Sequence, residues 1–200
     1  LTNPDNQVIG QRSFGSDAQT VAGMVTSELQ GLSAAGVYGM VKHFPGHGGT
    51  SGDSHDGAVS TDKTLEELMA EELVPFQSAI DGGVNFVMVG HISAPNVTGD
   101  NAPATLSKVL ITDVLRGQMG YNGIVITDAM NMEAITGFYN SDKAAVLAVT
   151  AGADMILMPA DYNTAYTGIL NAVNDGTITE ERINESVTRI VKAKLAMGQP

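Results

Sequence analysis

The chain has 200 residues, 43% of them apolar and 16% charged, with 22 acidic against 10 basic side chains and a net charge of −12. Those proportions describe a folded globular protein rather than a disordered one, and the acidic balance argues against a nucleic-acid partner, whose phosphates demand a basic footprint. Cysteine is absent, which excludes disulfides, thiolate metal sites and a cysteine nucleophile, and no apolar run reaches the roughly 18 to 20 residues of a membrane-inserted helix.

The opening Leu1-Thr2-Asn3-Pro4-Asp5-Asn6 is turn-forming, has no initiator Met and is no signal peptide. It reads as the start of a piece cut from something longer. Ser16 to Gly31 is expected to be helical: Ser16 and Gln19 have capping-box spacing, and Val21, Met24, Val25 and Leu29 share a face. Val37 to Val41 is a short apolar strand that ends in a glycine-rich loop, Lys42 to His55, holding three of the four histidines. A second helix follows, capped by Thr64 and Glu67, which Pro75 kinks or splits and Gly82-Gly83 ends. Val84 to Val89 is a strand, Ser107 to Met119 a helix stopped by Gly120, and Gly123 to Thr127 a strand ending on Asp128. Ser141 to Ala151 is helical and closed by Gly152, Asp154 to Leu157 is a strand, and Asn163 to Asn174 and Thr179 to Met197 are the last helices.

Alternation of helices with continuous Val/Ile/Met strands implies a parallel sheet buried on both faces. The four strands are followed by the Lys42–His55 loop, His91, Asp128 and Asp161 respectively. Sites in parallel α/β folds form at the carboxyl ends of strands, so one side of the sheet collects the reactive groups. Four strands suit a small open sheet or about half of an eight-stranded barrel.

Within the loop, Asp53 is two residues from His55. A carboxylate at that spacing fixes an imidazole's tautomer and leaves the other nitrogen to exchange protons near neutral pH; the alternative is a loop histidine in an Asx turn. His43, His47, Asp53 and His55 are all competent zinc ligands, but their spacing matches no compact zinc signature and Lys42 sets a positive charge beside any cation. No metal or cofactor is expected. Asp128 is either a reactive carboxylate or the N-cap of a short helix beginning at Ala129. Arg12 alone would be a solvated charge, and His91 is as consistent with a satisfied wall residue as with a ligand contact.

Together these segments resemble glycoside hydrolase family 3, specifically its bacterial β-N-acetylglucosaminidase branch. The matches are Asn3-Pro4-Asp5-Asn6, Ile9 to Gly15, Lys42-His43-Phe44-Pro45-Gly46-His47-Gly48, Asp53-Ser54-His55, Ile126-Thr127-Asp128-Ala129-Met130-Asn131-Met132 and Gly152-Ala153-Asp154-Met155-Ile156-Leu157. The resemblance implies a TIM-type (β/α)₈ barrel of which residues 1–200 are the later half, about four βα units of one domain. It implies a retaining mechanism on a terminal N-acetylglucosamine of cell-wall muropeptides or chitin-type oligosaccharides. Asp128 matches the nucleophile, His55 the acid/base and Asp53 its dyad partner, while Arg12, Lys42 and His43 match residues that hold the sugar hydroxyls. A His–Asp dyad departs from the usual pair of carboxyl groups about 5–5.5 Å apart, and an Asp-supported imidazole can serve as acid and base near neutrality.

In that family about three strands precede the Asn-Pro-Asp segment and carry further sugar contacts, so this chain is expected to pair with the missing N-terminal segment or another copy of itself, or to be weakly active or inactive. Two other functions stay open: a phosphorylase using phosphate in place of water, and an inactive carbohydrate-binding fragment. Absence of cysteine and an acidic surface lean toward export or the cell wall.

Overall fold

The computed structural model describes Leu1, Asn6, residues 9–50 and residues 59–197. Three parallel strands, β1 (Met40–Phe44), β3 (Phe86–Val89) and β5 (Ile124–Thr127), pair in the order β1-β3-β5. Val87 pairs with Val41 on one side and Val125 on the other, and Val87, Val89 and Val125 have no exposed surface. Continuous apolar strands are what a sheet covered on both faces requires. A second ladder, β2 (Val59–Ser60) with β4 (Ile92–Ser93), is also parallel. Two-residue strands are too short to show a hydrophobic period, and the sequence reading did not anticipate them.

The first strand begins and ends three residues later than expected, because Val37 is solvent-exposed whereas Phe44 is fully buried. Lys42 and His43 therefore lie on the strand itself and not in the loop after it. The β1–β3 register slips between Val41 and Phe44, a bulge of the kind that re-aims side chains at sheet ends.

Helices cover the sheet. The cap of α1 (Ala18–Ala34) lies one residue beyond the expected Ser16, since the Asp17 carboxylate accepts from the Thr20 N–H at 2.8 Å. The capping box of α2 (Leu65–Ala70) is present, with Glu67 N–H donating to Thr64 Oγ1 and Thr64 N–H to Glu67 Oε2. Pro75 does split the segment: it lies in the first turn of α3 (Val74–Asp81), where its missing N–H is not needed. After a short turn, α4 (Pro95–Thr98), residues 109–118 form a helix of π type that buries Leu110, Ile111, Val114 and Leu115. Then come α5 (Glu133–Thr136), α6 (Ser141–Ala151), α7 (Tyr162–Asn174) and α8 (Glu180–Met197). Gly152 ends α6 at φ +118°, with room for no side chain: a Cβ would lie 2.8 Å from Thr112 Oγ1 and 3.0 Å from Ile111.

The expected strand at 154–157 is a correction. It makes a single parallel bridge, Met155 with Ile126, in which the Met155 N–H donates to the Val125 carbonyl and the Thr127 N–H to the Met155 carbonyl, each at 3.1 Å, and side chains add to that pairing. Asp154 Oδ2 accepts from the Val125 N–H at 2.9 Å, and Thr127 Oγ1 accepts from the Leu157 N–H at 3.0 Å. Asp154 is fully enclosed. Arg116 Nη2 (2.6 Å), Arg189 Nη1 (2.9 Å) and the Ser186 hydroxyl (2.6 Å) all donate to it, and Arg182 stands 3.7 Å away while bonding the Ala153 carbonyl at 2.7 Å. Burial alone would raise the Asp154 pKa; Arg116, Ser186, the Val125 N–H and Arg189 outweigh it and hold the carboxyl below the ordinary range. This knot clamps α8 to the amino end of β5.

Candidate active site

At the carboxyl ends of the strands the side chains predicted to act converge in part. Asp128 follows β5 directly, and its N–H donates to the Val89 carbonyl at 2.8 Å, continuing the ladder one residue past the strand. Its Oδ1 accepts from the Ala129 N–H at 2.8 Å. No helix begins at Ala129, so Asp128 is not an N-cap; the next helix is α5, at Glu133. The second oxygen, Oδ2, faces His43 Nε2 at 3.7 Å. That distance is too long for a hydrogen bond, and it is not an ion pair at neutral pH either. Burial pushes the His43 pKa down to about 4; Asp128 opposes that shift, and Lys42, His47 and Arg12 reinforce it. His43 is therefore neutral at pH 7, poised to offer or accept one hydrogen bond.

Arg12, Lys42 and His43 line one cavity of about 280 Å³. Arg12 ends a single 3₁₀ turn, Gly10–Arg12, ahead of α1, and Lys42 and His43 project from β1. Asp53 and His55 lie outside the described residues. Asp161, the fourth strand-end group, is an exposed N-cap of α7, accepting from the Thr164 N–H at 2.6 Å. His91 is 1% exposed and occupied: its Nε2 donates to the Ala129 carbonyl at 2.9 Å and its Nδ1 meets Thr105 Oγ1 at 2.8 Å. It is the satisfied wall residue of the two readings, and it holds the residue next to Asp128. Among the described residues, no three histidine, aspartate or glutamate side chains come together as a metal site.

Two residues that sequence reasoning passed over shape the glycine-rich turn. The buried Asn6 amide donates to the carbonyls of His47 (3.0 Å), Gly48 (3.3 Å) and Thr50 (3.0 Å), and its Oδ1 accepts from the Ile9 N–H. Glu72, also buried, packs beneath the turn and pairs with Lys63 at 2.7 Å. Gly46 is required there twice over, since its φ is +129° and a Cβ would stand 2.6 Å from Glu72 Cγ. Asn6 belonged to a turn-forming run, which signalled a turn but not a clamp on residues some forty positions away. Glu72 gave no signal, because residue type alone does not separate a buried glutamate from an exposed one. His47 is buried against the His43 ring, edge to face at 5.6 Å between centroids, and its carbonyl accepts from Thr50 Oγ1 at 2.8 Å.

Comparison with known proteins accounts for this arrangement. Residues 1–193 match the model of the glycosyl hydrolase family 3 N-terminal domain. The chain is 32% identical to beta-hexosaminidase A of Pseudoalteromonas piscicida, over 99% of this chain and 36% of that one. It is 37% identical to beta-hexosaminidase LpqI of Mycobacterium tuberculosis, over 96% of this chain and 50% of the relative. Among solved structures, a glycoside hydrolase family 3 beta-N-acetylglucosaminidase from Paenibacillus sp. str. FPU-7 superposes with a TM-score of 0.95 at 44% identity, covering 98% of this chain and 38% of that chain. The chain thus spans between about a third and a half of the length of these relatives. The parallel α/β architecture is that of part of a TIM-type barrel, as expected from the sequence. The chain belongs to glycosyl hydrolase family 3.

Proposed function

We propose that this chain carries the catalytic carboxylate of a retaining exo-β-N-acetylglucosaminidase. The observation that carries the reading is the placement of Asp128 beside a neutral His43 at the carboxyl ends of parallel strands, next to a cavity lined by Arg12 and Lys42. A nucleophile must be held in one orientation with one oxygen available. The Ala129 N–H anchors Oδ1, and Oδ2 is the atom assigned to attack the anomeric carbon. In the first step the carbon–oxygen bond to the leaving group breaks as the Asp128 ester forms, and the leaving oxygen takes a proton from His55. In the second step His55 takes a proton from water, the water oxygen joins the anomeric carbon, and the Asp128 carboxylate departs. Asp53 orients His55, while Arg12, Lys42 and His43 bind hydroxyls of the sugar. This assignment of His55 and Asp53 rests on the motif Asp53-Ser54-His55.

The names of the relatives support N-acetylglucosamine or a related hexosamine as the sugar. An eight-stranded barrel needs strands beyond β1, β3 and β5; in this reading the remaining pocket wall comes from an N-terminal barrel segment or from a second copy of the chain. The test is hydrolysis of β-N-acetylglucosaminides by the intact protein and by its Asp128→Ala and His55→Ala forms. Asp128→Ala should abolish turnover. His55→Ala should lose far more rate with a poor leaving group than with a good one, and full kcat on a poor leaving group would remove His55 from the role of general acid.

A further inference from the structure

The carboxylate of Asp128 is aimed by the backbone that follows it. The Ala129 N–H that anchors Oδ1 belongs to the 128–129 peptide, whose orientation is set by the peptides on either side. The preceding peptide is held through the Asp128 N–H, which donates to the Val89 carbonyl at 2.8 Å. The following one is held at both ends. The Met130 N–H donates to the Leu157 carbonyl at 2.9 Å, and the Ala129 carbonyl accepts from His91 Nε2 at 2.9 Å. The first two holds join main chain to main chain, whereas the last comes from a side chain.

His91 is itself prepared for that bond. It is buried, and its Nδ1 meets the hydroxyl of the fully buried Thr105 at 2.8 Å. A carbonyl can only accept, so Nε2 carries the hydrogen, and in the neutral imidazole Nδ1 accepts from Thr105. Thr105 lies on a 3₁₀ turn, Ala104–Leu106. An antiparallel bridge between Ser93 and Pro103, with the Ser93 hydroxyl donating to the Asn101 carbonyl at 2.7 Å, ties that turn back to the segment carrying His91. The tautomer is thus selected by a hydroxyl on a fixed turn, with no charged group involved.

We propose that His91, held in its Nε2–H tautomer by Thr105, is a positioning residue for the nucleophile: it fixes the 129–130 peptide, and through it the direction of the Ala129 N–H and of Asp128 Oδ2. The inference rests on the assignment of Asp128 as nucleophile and adds two residues that act through the backbone around it. A carboxylate displaced from its line of attack by on the order of 1 Å loses about a hundredfold in rate. That loss falls on the chemical step, because attack needs the geometry and ground-state binding does not.

The test uses β-N-acetylglucosaminyl fluoride, whose leaving group needs no proton from a general acid, so that kcat/KM reports attack by Asp128. In the intact protein, His91→Leu should lower that value about a hundredfold. His91→Gln, whose amide can still donate to the Ala129 carbonyl, should recover about tenfold of the loss. Thr105→Val keeps the side-chain shape without the hydroxyl and should cost about fivefold, the scale of one hydrogen bond. Affinity for N-acetylglucosamine, read by calorimetry, should stay within about twofold in all three, since Arg12, Lys42 and His43 lie on other elements. Unchanged kcat/KM in His91→Leu, or in Thr105→Val if His91→Leu does not fold, overturns the proposal. So does a fall in sugar affinity that matches the fall in rate, because His91 would then support the pocket as a whole. Asp128→Ala separates this inference from the reading beneath it. If Asp128→Ala consumes the fluoride at the wild-type rate, or the wild type does not consume it, both fail. If Asp128→Ala is inactive and His91→Leu is unimpaired, only the positioning role fails.

Discussion

Asp128 and Asp154 stand at opposite ends of the same strand neighbourhood and are treated in opposite ways. Asp154, at the amino end, bonds the second residue of β5 and is saturated by two arginines and a serine, with a third arginine close by. Asp128, at the carboxyl end, has one oxygen anchored by a backbone N–H and the other directed at a histidine that carries no charge at neutral pH. A carboxylate meant to hold a fold together has its lone pairs filled, because an incompletely paired buried charge is costly. A carboxylate meant to react must keep a lone pair in hand. Burial alone separates the two poorly, since both lie largely inside; the difference is in how many donors each has been given.

The sharpest way to break that comparison is to neutralise each carboxylate in turn. Asp128→Asn should lower kcat by about 10³-fold or more while changing the unfolding free energy by under about 1 kcal/mol. Asp154→Asn should do the reverse in kind. It leaves Arg116, Arg182 and Arg189 around an uncharged group, at a cost of about 3–5 kcal/mol, read as a lowered urea midpoint. An Asp154→Asn protein as stable as the wild type would show that the arginine knot is not what fixes α8. A strongly destabilised Asp128→Asn would show that the carboxylate assigned as nucleophile is structural as well.

The pH dependence of stability should fall on the Asp128 end. The unfolded chain takes up a proton at His43 below its ordinary pKa of 6.5, and the folded protein, with His43 near 4, does not. Stability therefore rises with pH between about 4 and 6.5 and is lost as pH falls through that window, by about 3 kcal/mol from this group. Replacement of His43 by Gln should flatten the curve of unfolding free energy against pH over that interval and leave the region above pH 7 unaltered. A wild-type slope retained in His43→Gln would place the titration elsewhere.

The comparison also shows which parts of the molecule local sequence can carry. The Thr64–Glu67 box, the split at Pro75 and the glycine stop at 152 were legible because each is decided within a few residues by a cap, a missing N–H or a positive φ. Asp128 was legible because it ends a buried apolar strand. The Asp154 knot was not: its partners sit about 30 to 40 positions away on two helices, and nothing in Gly152-Ala153-Asp154 announces three arginines. The strand boundary at β1 was missed for the same kind of reason. Val37 looks like a strand residue by type, but what places it in solvent is the tertiary position of α1 and β1. Asn6 and Glu72, which both contact the glycine-rich turn, depend on contacts of the same long range.

The finest cut falls inside the knot itself. Ser186 Oγ donates to Asp154 Oδ1 at 2.6 Å and accepts from Arg182 Nη1 at 2.7 Å, so it relays between a carboxylate and a guanidinium that otherwise stand 3.7 Å apart. Ser186→Ala removes both bonds but strands neither charge. Arg189 still donates to Oδ1, Arg116 still donates to Oδ2, and Arg182 still bonds the carbonyls of Val149 and Ala153. The loss should be about 1 kcal/mol, the scale of one net hydrogen bond, with no change in kcat. That value, set beside about 3–5 kcal/mol for Asp154→Asn, measures how far the arginines alone sustain the clamp. A Ser186→Ala cost as large as that of Asp154→Asn would instead make the hydroxyl relay, and not the charge cluster, the element that holds α8 to the strand.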